Sequence, residues 1–349
     1  MFNLPQYKTV CLPPYAPTLV NSTRAIGYSV ESAIADIIDN SIAADAKSIC
    51  VCFLPKNAYV AILDDGSGMD SVTLQNAMQY GSKDPTEERD LKDLGRFGLG
   101  LKTASLSQCR ILTVASKQNG KINAYRWNIS FIEQEGNWLL QVLSDDAISS
   151  LPEIDRLQKQ NSGTLVLWQD LDRMRKATID FDKTLAKKMS SVREHLSLVY
   201  HRYLEGEQGI QKITIYFNDS RLKPHNPFLP QKSQIPMEDE VLTFPEYGKN
   251  SNIRVRPYIL PHISLLTKEE IETLGGAEGL RKLQGFYVYR NKRLLVWGTW
   301  FRIIRKGEFS KLARIQVDLP NTLDELWSLD IKKSSAQPPE IVKKNLENI

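Results

Sequence analysis

The chain of 349 residues is 42% hydrophobic and 25% charged, which is typical of a globular protein with room for two domains. Its 45 basic and 41 acidic residues give a net charge of +4, so the charge allows a nucleic-acid partner without requiring one. No apolar run approaches the roughly 18 residues of a membrane-spanning helix, and residues 1–17 lack the apolar segment of a signal peptide. We therefore expect a cytoplasmic protein with no membrane attachment.

The cysteines do not suggest a metal site. None of the four (Cys11, Cys50, Cys52 and Cys109) belongs to a CxxC pair or has the spacing to histidine that zinc sites use. Cys50 and Cys52 alternate on a predicted strand, so they face the same side and are expected to be buried as small apolar residues.

Residues 1–24 are expected to form an N-terminal arm. This segment is rich in proline, and a proline disfavours helix at the residue before it. The arm is therefore predicted to be extended, either as a disordered segment or as a strap that lies on another subunit.

The first strong element is a helix over residues 29–44. At about 100° per residue its isoleucines fall on one face, which must be buried. On the opposite face Asp36 and Asn40 stack four residues apart, with Asp39 beside them. Taken alone, this face is either the solvated side of an ordinary helix or a place where an acid and an amide share one small polar ligand.

A turn with two glycines follows the second of two predicted strands, which cover residues 48–53 and 59–63. The second strand leads directly into Asp64 and the sequence DDGSGM. Two glycines one residue apart indicate a tight turn that something approaches closely. An aspartate at a strand end can accept a hydrogen bond from an exocyclic amine, although a plain surface turn is the alternative.

A charged segment and a glycine-rich turn come next. Residues 83–93 (KDPTEERDLKD) are predicted to be a mobile surface loop, and residues 95–105 (GRFGLGLKTAS) are a glycine turn that leads into a helix. Such a turn offers backbone N–H groups to an anion. It is not a P-loop, because Leu101 separates Gly100 from Lys102, and no strand precedes it as a dinucleotide fingerprint requires.

Further strands complete a first domain over residues 25–172. They are predicted at 111–116, 124–128, 138–143 and 163–168. Helices and strands in this order predict an α/β sandwich with the helices on one face of the sheet.

A change of sequence character near residue 172 predicts a second domain over residues 173–349. It begins with a long basic helix over residues 173–205. Its predicted strands form hairpins at 213–223 and 285–296, and another strand covers 313–319.

The order of these motifs over residues 25–170 resembles the GHKL ATPases: gyrase B, the large heat-shock chaperones, histidine kinases and MutL. The sequences DIIDNS and GRFGLGLKTAS are most similar to MORC- and MutL-like prokaryotic members. The resemblance implies an α+β fold. A Bergerat-type α/β sandwich that binds ATP would be followed by a transducer-like (ribosomal S5-like) α/β domain.

The resemblance also implies ligands for individual residues. Asn40 would coordinate Mg²⁺, and Asp64 would accept a hydrogen bond from the adenine amine, with Thr164 supporting that contact through water. The residues that shape the adenine pocket would be Gly66, Gly68 and Met69. The phosphates would lie against Gly95, Arg96, Phe97, Gly98, Leu99, Gly100, Leu101, Lys102 and Thr103.

The general base would be Asp36, by its spacing to Asn40, where these ATPases usually carry glutamate. A base must come within about 2.6–3.2 Å of the proton it takes, and aspartate is one methylene shorter. Either slow hydrolysis or binding without turnover is therefore expected. Glu31 is an alternative acid, but it lies about 140° away around the helix. A lysine of the second domain, Lys332 or Lys333, would contact the γ-phosphate.

Two functions are compatible with the resemblance. The first is an ATPase that dimerises on ATP and acts as a clamp or switch on DNA, in repair, restriction or phage defence, with a nuclease or other effector as partner. Basic residues interleaved with aromatics over 281–314 support DNA contact, tentatively through Arg290, Lys292, Arg293, Arg302, Arg305 and Lys306. The alternative is a chaperone-like or regulatory ATP-binding protein that acts on a protein partner with little turnover.

Overall fold

The computed structural model describes residues 10–25, 27–81, 94, 100–176, 179–244, 252–276, 278–320, 323, 327 and 338–346. The predicted charged loop over 83–93 lies outside these residues. So do several of the predicted site residues: Gly95, Arg96, Phe97, Gly98, Leu99, Lys332 and Lys333.

The first sheet has eight strands. They are β1 (Ser48–Leu54), β2 (Tyr59–Asp64), β3 (Ile111–Gln118), β4 (Lys121–Asn128), β5 (Gln141–Val142), β6 (Gly163–Gln169), β7 (Thr214–Phe217) and β8 (Ser220–Arg221). Their order is β5-β4-β3-β6-β2-β1-β7-β8. Neighbours are antiparallel except for β1 and β7, which are parallel.

Ten helices of the described chain belong to this part of the molecule. They are α1 (Ala16–Arg24), α2 (Val30–Ala43), α3 (Ser71–Met78), α4 (Gly100–Gln108), α5 (Ile129–Glu135), α6 (Asp145–Ser149), α7 (Ile154–Lys159), α8 (Asp172–Lys176), α9 (Phe181–Val199) and α10 (His201–Glu205). Helices α2, α4 and α9 supply buried residues to the core on one face of the sheet. The opposite face is covered too, by α6 and α7, so the prediction of helices on a single face was wrong.

Helix α2 begins where its sequence predicts. The Ser29 hydroxyl caps its first turn by accepting a hydrogen bond from the Ser32 N–H. Its apolar face is buried at Ile34, Ile37 and Ile38. The two acids of the polar face, however, are also buried, while Asn40 stays exposed. This burial excludes the simple solvated acidic face.

Cys50 and Cys52 are buried on the same face of β1, as their alternation predicted. The Arg156 guanidinium donates a hydrogen bond to each thiol sulfur, at 3.3 Å and 3.0 Å. The two residues therefore pack as small core side chains that also have a polar neighbour.

The N-terminal arm is not extended throughout. Residues 16–24 form α1, which buries Ala16 and Val20 against the first core. Pro17 is compatible with this helix because a proline near a helix N-terminus removes an N–H that has no intrahelical partner.

The first sheet continues past the boundary predicted at residue 172. Strand β7 pairs with β1, and core residues of the first sheet extend to Leu222. The long helix predicted over 173–205 is divided among α8, α9 and α10.

The second sheet has five strands among the described residues. They are β9 (Glu240–Thr243), β10 (Asn252–Ile259), β11 (Gly285–Arg290), β12 (Arg293–Thr299) and β13 (Ala313–Leu319). The order is β12-β11-β13-β10-β9, with β11 and β13 parallel. Three short helices accompany it: α11 (Lys268–Thr273), α12 (Gly279–Lys282) and α13 (Glu340–Leu346). The fold is mixed α and β as predicted, and the transducer likeness of this half stays a prediction.

The membrane expectation can be compared with the helices directly. Over the part of the chain that the structure describes, no helix combines the length and the apolar character needed to cross a bilayer.

Candidate functional site

Asp64 ends β2 and is the best-supported side chain of the site. Its Oδ1 accepts the backbone N–H groups of Gly66 and Thr164, at 3.0 Å and 3.1 Å. Its Oδ2 accepts the Ser41 hydroxyl of α2 at 2.8 Å. A carboxylate offers about four lone-pair sites, so these three donors leave room for an exocyclic amine.

Burial dominates the electrostatics of Asp64. The residue is 5% exposed, and desolvation raises the pKa of its carboxyl group, partly offset by the hydrogen bonds from Ser41, Gly66 and Thr164. The hydrogen bonds hold the side chain in one orientation, because rotating it would leave buried donors without an acceptor.

Thr164 and Met69 belong to the same hydrogen-bonded group. Because β6 pairs with both β2 and β3, Thr164 lies opposite Asp64 on one side and Ser116 on the other. The Ser116 hydroxyl lies 2.9 Å from the Thr164 hydroxyl and accepts the Met69 N–H at 2.9 Å. The loop that carries the glycines is thereby fixed to the sheet.

Two of the predicted glycines have a steric reason to be glycine. A Cβ on Gly66 would come within 2.8 Å of the Ala44 carbonyl oxygen at the end of α2. Gly68 has a φ of +67°, and a Cβ there would approach the Lys117 carbonyl oxygen to 1.9 Å. The loop after β2 can therefore pack against both α2 and β3 only with glycine at these positions.

Asp36 and Asn40 lie one turn apart on α2, as predicted. Asp36 is 4% exposed and lies at the start of α4, where its Oδ2 is 3.6 Å from the position of a Cβ on Gly100. Asn40 is exposed to solvent. A buried acid beside a helix N-terminus and an exposed amide one turn away can serve different parts of one ligand.

The start of α4 holds the remaining predicted phosphate residues that the structure describes. Lys102 is buried, and its Nζ donates to the Ala77 carbonyl oxygen at 3.0 Å. Thr103 is also buried, and Leu101 is partly buried against the first core. Lys102 thus secures α4 to α3, and its amine is directed at protein in this structure.

The residues present fit Mg²⁺-ATP. Magnesium keeps several waters and takes one or two protein oxygens together with phosphate oxygens, and the exposed Asn40 offers one such oxygen. The remaining acceptor capacity of Asp64 suits an adenine amine. Residues Asp36, Asn40 and Asp64 are brought together by α2 and β2 through the Ser41 contact.

The predicted nucleic-acid residues divide into two groups. Arg290 and Arg293 are buried: Arg290 donates to the Leu94 carbonyl oxygen, and Arg293 pairs with Asp39. Their guanidinium groups are therefore not at the surface, and the structure removes these two residues from the predicted interface. Lys292 is partly buried and pairs with Glu207.

The other three residues of that set are exposed. Arg302, Arg305 and Lys306 lie after β12, and Phe309 nearby is also fully exposed. Of these three, Lys306 donates to the Lys282 carbonyl oxygen. These residues form an exposed basic segment with an aromatic side chain.

Sequence reasoning missed three polar residues that complete the site: Ser41, Ser116 and Tyr200. The available signal for Ser41 was its place on α2, where it directly follows Asn40 and lies one turn after Ile37. Ser116 and Tyr200 carry no local signal, because their partners lie 47 and 161 residues away.

The fold and the buried acid at the end of β2 fit an ATP-binding domain of the GHKL class. Residues 28–164 match the family model described as histidine kinase-, DNA gyrase B- and HSP90-like ATPase, so this part of the chain is similar to that family. The ATPase morc-1 of Caenorhabditis elegans is 32% identical over 107 residues. That match covers 30% of this chain and 12% of the relative, so the chain spans only a small part of the relative's length.

Proposed function

We propose that the protein is an Mg²⁺-dependent ATPase whose two protomers close on ATP. The observation that carries this proposal is the hydrogen bond between Ser41 of α2 and Asp64 of β2. It links the adenine acceptor Asp64 to α2, which presents Asp36 and Asn40. The family match over residues 28–164 and the ATPase named as a relative support the same activity.

In this proposal Asp36 orients and deprotonates the attacking water, and Asn40 holds Mg²⁺ at the phosphates. A general base contributes typically 10²–10⁴-fold to a rate. The short aspartate side chain can act only if α2 stays close to the γ-phosphate, which its packing against α4 favours. Lys332 or Lys333 supplies the cation at the γ-phosphate.

Steady-state hydrolysis and ATP affinity of Asp36→Ala test the base. We expect hydrolysis to fall by about 100-fold or more, with the Kd for ATP changed less than about threefold. Glu31→Ala is the matched control, because Glu31 lies on the same helix but on another side, and it should hydrolyse ATP like the wild type. Equal and negligible rates in wild type and Asp36→Ala, with ATP bound, would favour the regulatory alternative.

The client in this proposal is DNA. The support is the exposed segment with Arg302, Arg305, Lys306 and Phe309, since cations contact phosphates and an aromatic ring stacks on bases. A nuclease or other effector partner would carry out any cutting.

DNA binding is tested with a triple alanine variant at Arg302, Arg305 and Lys306. We expect the affinity for DNA to fall. The slope of log affinity against log salt concentration should become shallower by about 1 for each lost phosphate contact. The matched control is the triple alanine variant of three exposed lysines on α9: Lys183, Lys187 and Lys188. Equal losses in both variants would show general attraction and no localised interface.

Dimerisation is tested by sedimentation with and without a non-hydrolysable ATP analogue. We expect the mass to double only with the analogue and Mg²⁺. A monomer under both conditions would contradict the clamp.

A further inference from the structure

A buried ion pair joins the second sheet to α2. Arg293, the first residue of β12, places its Nε 3.1 Å from Oδ1 of Asp39. The side chains are 4% and 1% exposed and lie 254 residues apart in sequence. The pair therefore connects the two halves of the molecule at a place that water does not reach.

Tyr200 extends this contact along α2. Its hydroxyl is a donor within reach of two acceptors, Oδ1 of Asp39 at 2.6 Å and the Ala35 carbonyl oxygen at 2.7 Å. Ala35 directly precedes Asp36, and Asp39 directly precedes Asn40. The two residues proposed for hydrolysis and metal binding thus lie beside the backbone and side-chain groups that Tyr200 and Arg293 hold.

The same hairpin of the second sheet reaches the edge of the glycine-rich segment. Arg290, the last residue of β11, donates to the Leu94 carbonyl oxygen at 3.2 Å. The Tyr203 hydroxyl donates to the Asn291 carbonyl oxygen at 2.7 Å, which fixes the turn of the hairpin. One rigid turn therefore contacts both α2 and the residue that precedes the predicted phosphate loop.

Stability alone is a poor explanation for the Arg293–Asp39 pair. Desolvation of two charges offsets much of their attraction, and well-packed apolar residues in place of a buried ion pair often leave a protein as stable or more stable. What an ion pair adds is direction, because each hydrogen bond fits one geometry. Burial lowers the pKa of Arg293, but the neighbouring groups Asp39, Tyr200 and Asp36 together raise it by more than burial lowers it. The arginine therefore stays charged close to Asp39 and Asp36.

We propose that Arg293 is a positioning residue that holds the middle turn of α2 and couples the second sheet to ATP. This proposal rests on the proposed function, since the turn it holds carries Asp36 and Asn40. Any such coupling is reciprocal in binding free energy. The free energy by which bound ATP stabilises the contact of the β11–β12 hairpin with α2 must therefore equal the free energy by which that contact favours ATP binding.

Kinetics of Arg293 variants separate positioning from simple structural support. In Arg293→Met we expect kcat to fall by about 10-fold or more, because small misplacements of reacting groups cost up to about 100-fold. The KM for ATP should change much less. Arg293→Lys, which keeps a cation beside Asp39, should recover part of the rate.

Arg202→Met is the matched control for these kinetics. Arg202 is also a buried arginine that joins the two halves, but its partners are Glu207 and Asp318. Its loss should lower stability without changing the ratio of kcat to KM. A similar kinetic change in both variants would show a general loosening of the interface and overturn the assignment.

Hydrogen exchange of the wild type tests the coupling even if Arg293→Met does not fold. On adding a non-hydrolysable ATP analogue with Mg²⁺, we expect slower exchange both around Asp64 and over residues 285–299 of the wild type. In Arg293→Met the protection around Asp64 should remain and that over 285–299 should be lost. Protection of the wild type around Asp64 alone would overturn the coupling. No protection at either place would overturn the proposed function and the coupling that rests on it.

Discussion

At the scale of single residues, Asp64 shows how a buried carboxylate is held by nearby side-chain and backbone donors. Burial raises the pKa of its carboxyl group, which opposes the charged form that a hydrogen-bond acceptor needs. Three donors from α2, the glycine loop and β6 compensate for lost water. The adenine amine would be a further donor of the same kind, so a nucleotide would improve a site that is already preorganised.

Asp64→Asn should weaken ATP binding by about 10-fold or more, which is roughly 1.4 kcal/mol. The amide replaces one acceptor oxygen with an NH₂ group, and this group then faces donors from Ser41, Gly66 or the ligand. Calorimetric titration of wild type and variant measures the change. The wild type should also prefer ATP over inosine triphosphate, which lacks the amine.

Asp65→Asn is the control for this change, since it alters the adjacent acid in the same way. Asp65 Oδ1 accepts the N–H groups of Lys47 and Ser48, so it supports the loop and should leave ATP affinity nearly unchanged. Equal affinities in all three proteins would contradict the assignment of Asp64.

The local sequence could predict the tight turn with Asp64, Gly66 and Gly68 because all three lie in one short segment. It could not predict Ser41 or Ser116 as their partners. Those contacts depend on the strand register β2–β6–β3 and on how α2 packs across the sheet. The same limitation explains Arg293, which looked like a basic surface residue until its partner Asp39 was known.

At the scale of elements, α1 shows how a correct local argument can give the wrong structure. Prolines at positions 13, 14 and 17 disfavour helix before them, and the segment was predicted to be extended. Only Pro17 lies in the helix, at a position where proline is tolerated. The rest of α1 is stabilised by burial of Ala16 and Val20 against the first core, which a local pattern does not show.

Arg24→Met should release α1 and destabilise the protein by about 3–5 kcal/mol. Arg24 Nε donates to the Leu106 carbonyl oxygen at 2.8 Å, and its Nη2 pairs with Asp172 at 2.5 Å. Both side chains of the pair are largely buried, so the substitution leaves a buried carboxylate without its cation. Urea unfolding monitored by circular dichroism measures the loss.

The double variant Arg24→Met with Asp172→Asn tests the reason for that loss. Removing the charge of Asp172 should restore part of the stability, because no buried carboxylate is then left unpaired. Strictly additive losses would show that Arg24 acts through packing alone.

At the scale of the whole molecule, the boundary between the two sheets does not lie where the sequence composition changes. The change of sequence character near residue 172 was real, yet β7 and β8 return to the first sheet from beyond it. A parallel pairing such as β1–β7 needs a long connection, and the sequence of neither strand alone indicates its partner. The α/β character of the first half was predictable from local patterns, whereas the connection between the halves was not.

The junction between the halves contains a buried histidine. His201 is 1% exposed, and its ring lies 5.6 Å from that of Tyr289 on β11 and 6.4 Å from that of Phe228. Its Nδ1 is 2.8 Å from the Leu198 carbonyl oxygen. Burial, with a smaller contribution from Arg202, lowers the pKa of His201 from 6.5 to about 4.

This lowered pKa predicts that the junction weakens in acid. Above pH 6.5 the ring is neutral in both the folded and unfolded states, so its contribution to stability is complete. Between pH 6.5 and pH 4 the unfolded chain binds a proton that the folded chain does not, and unfolding becomes easier by up to about 1.4 kcal/mol per pH unit.

In His201→Phe, which keeps an aromatic ring but cannot titrate, this contribution should vanish. The difference in unfolding free energy between wild type and variant should therefore shift toward the variant by roughly 2–3 kcal/mol from pH 7 to pH 4.5. Urea unfolding of both proteins at pH 7, 6, 5 and 4.5 measures it, and a difference that does not change with pH would show that His201 is not the group that titrates.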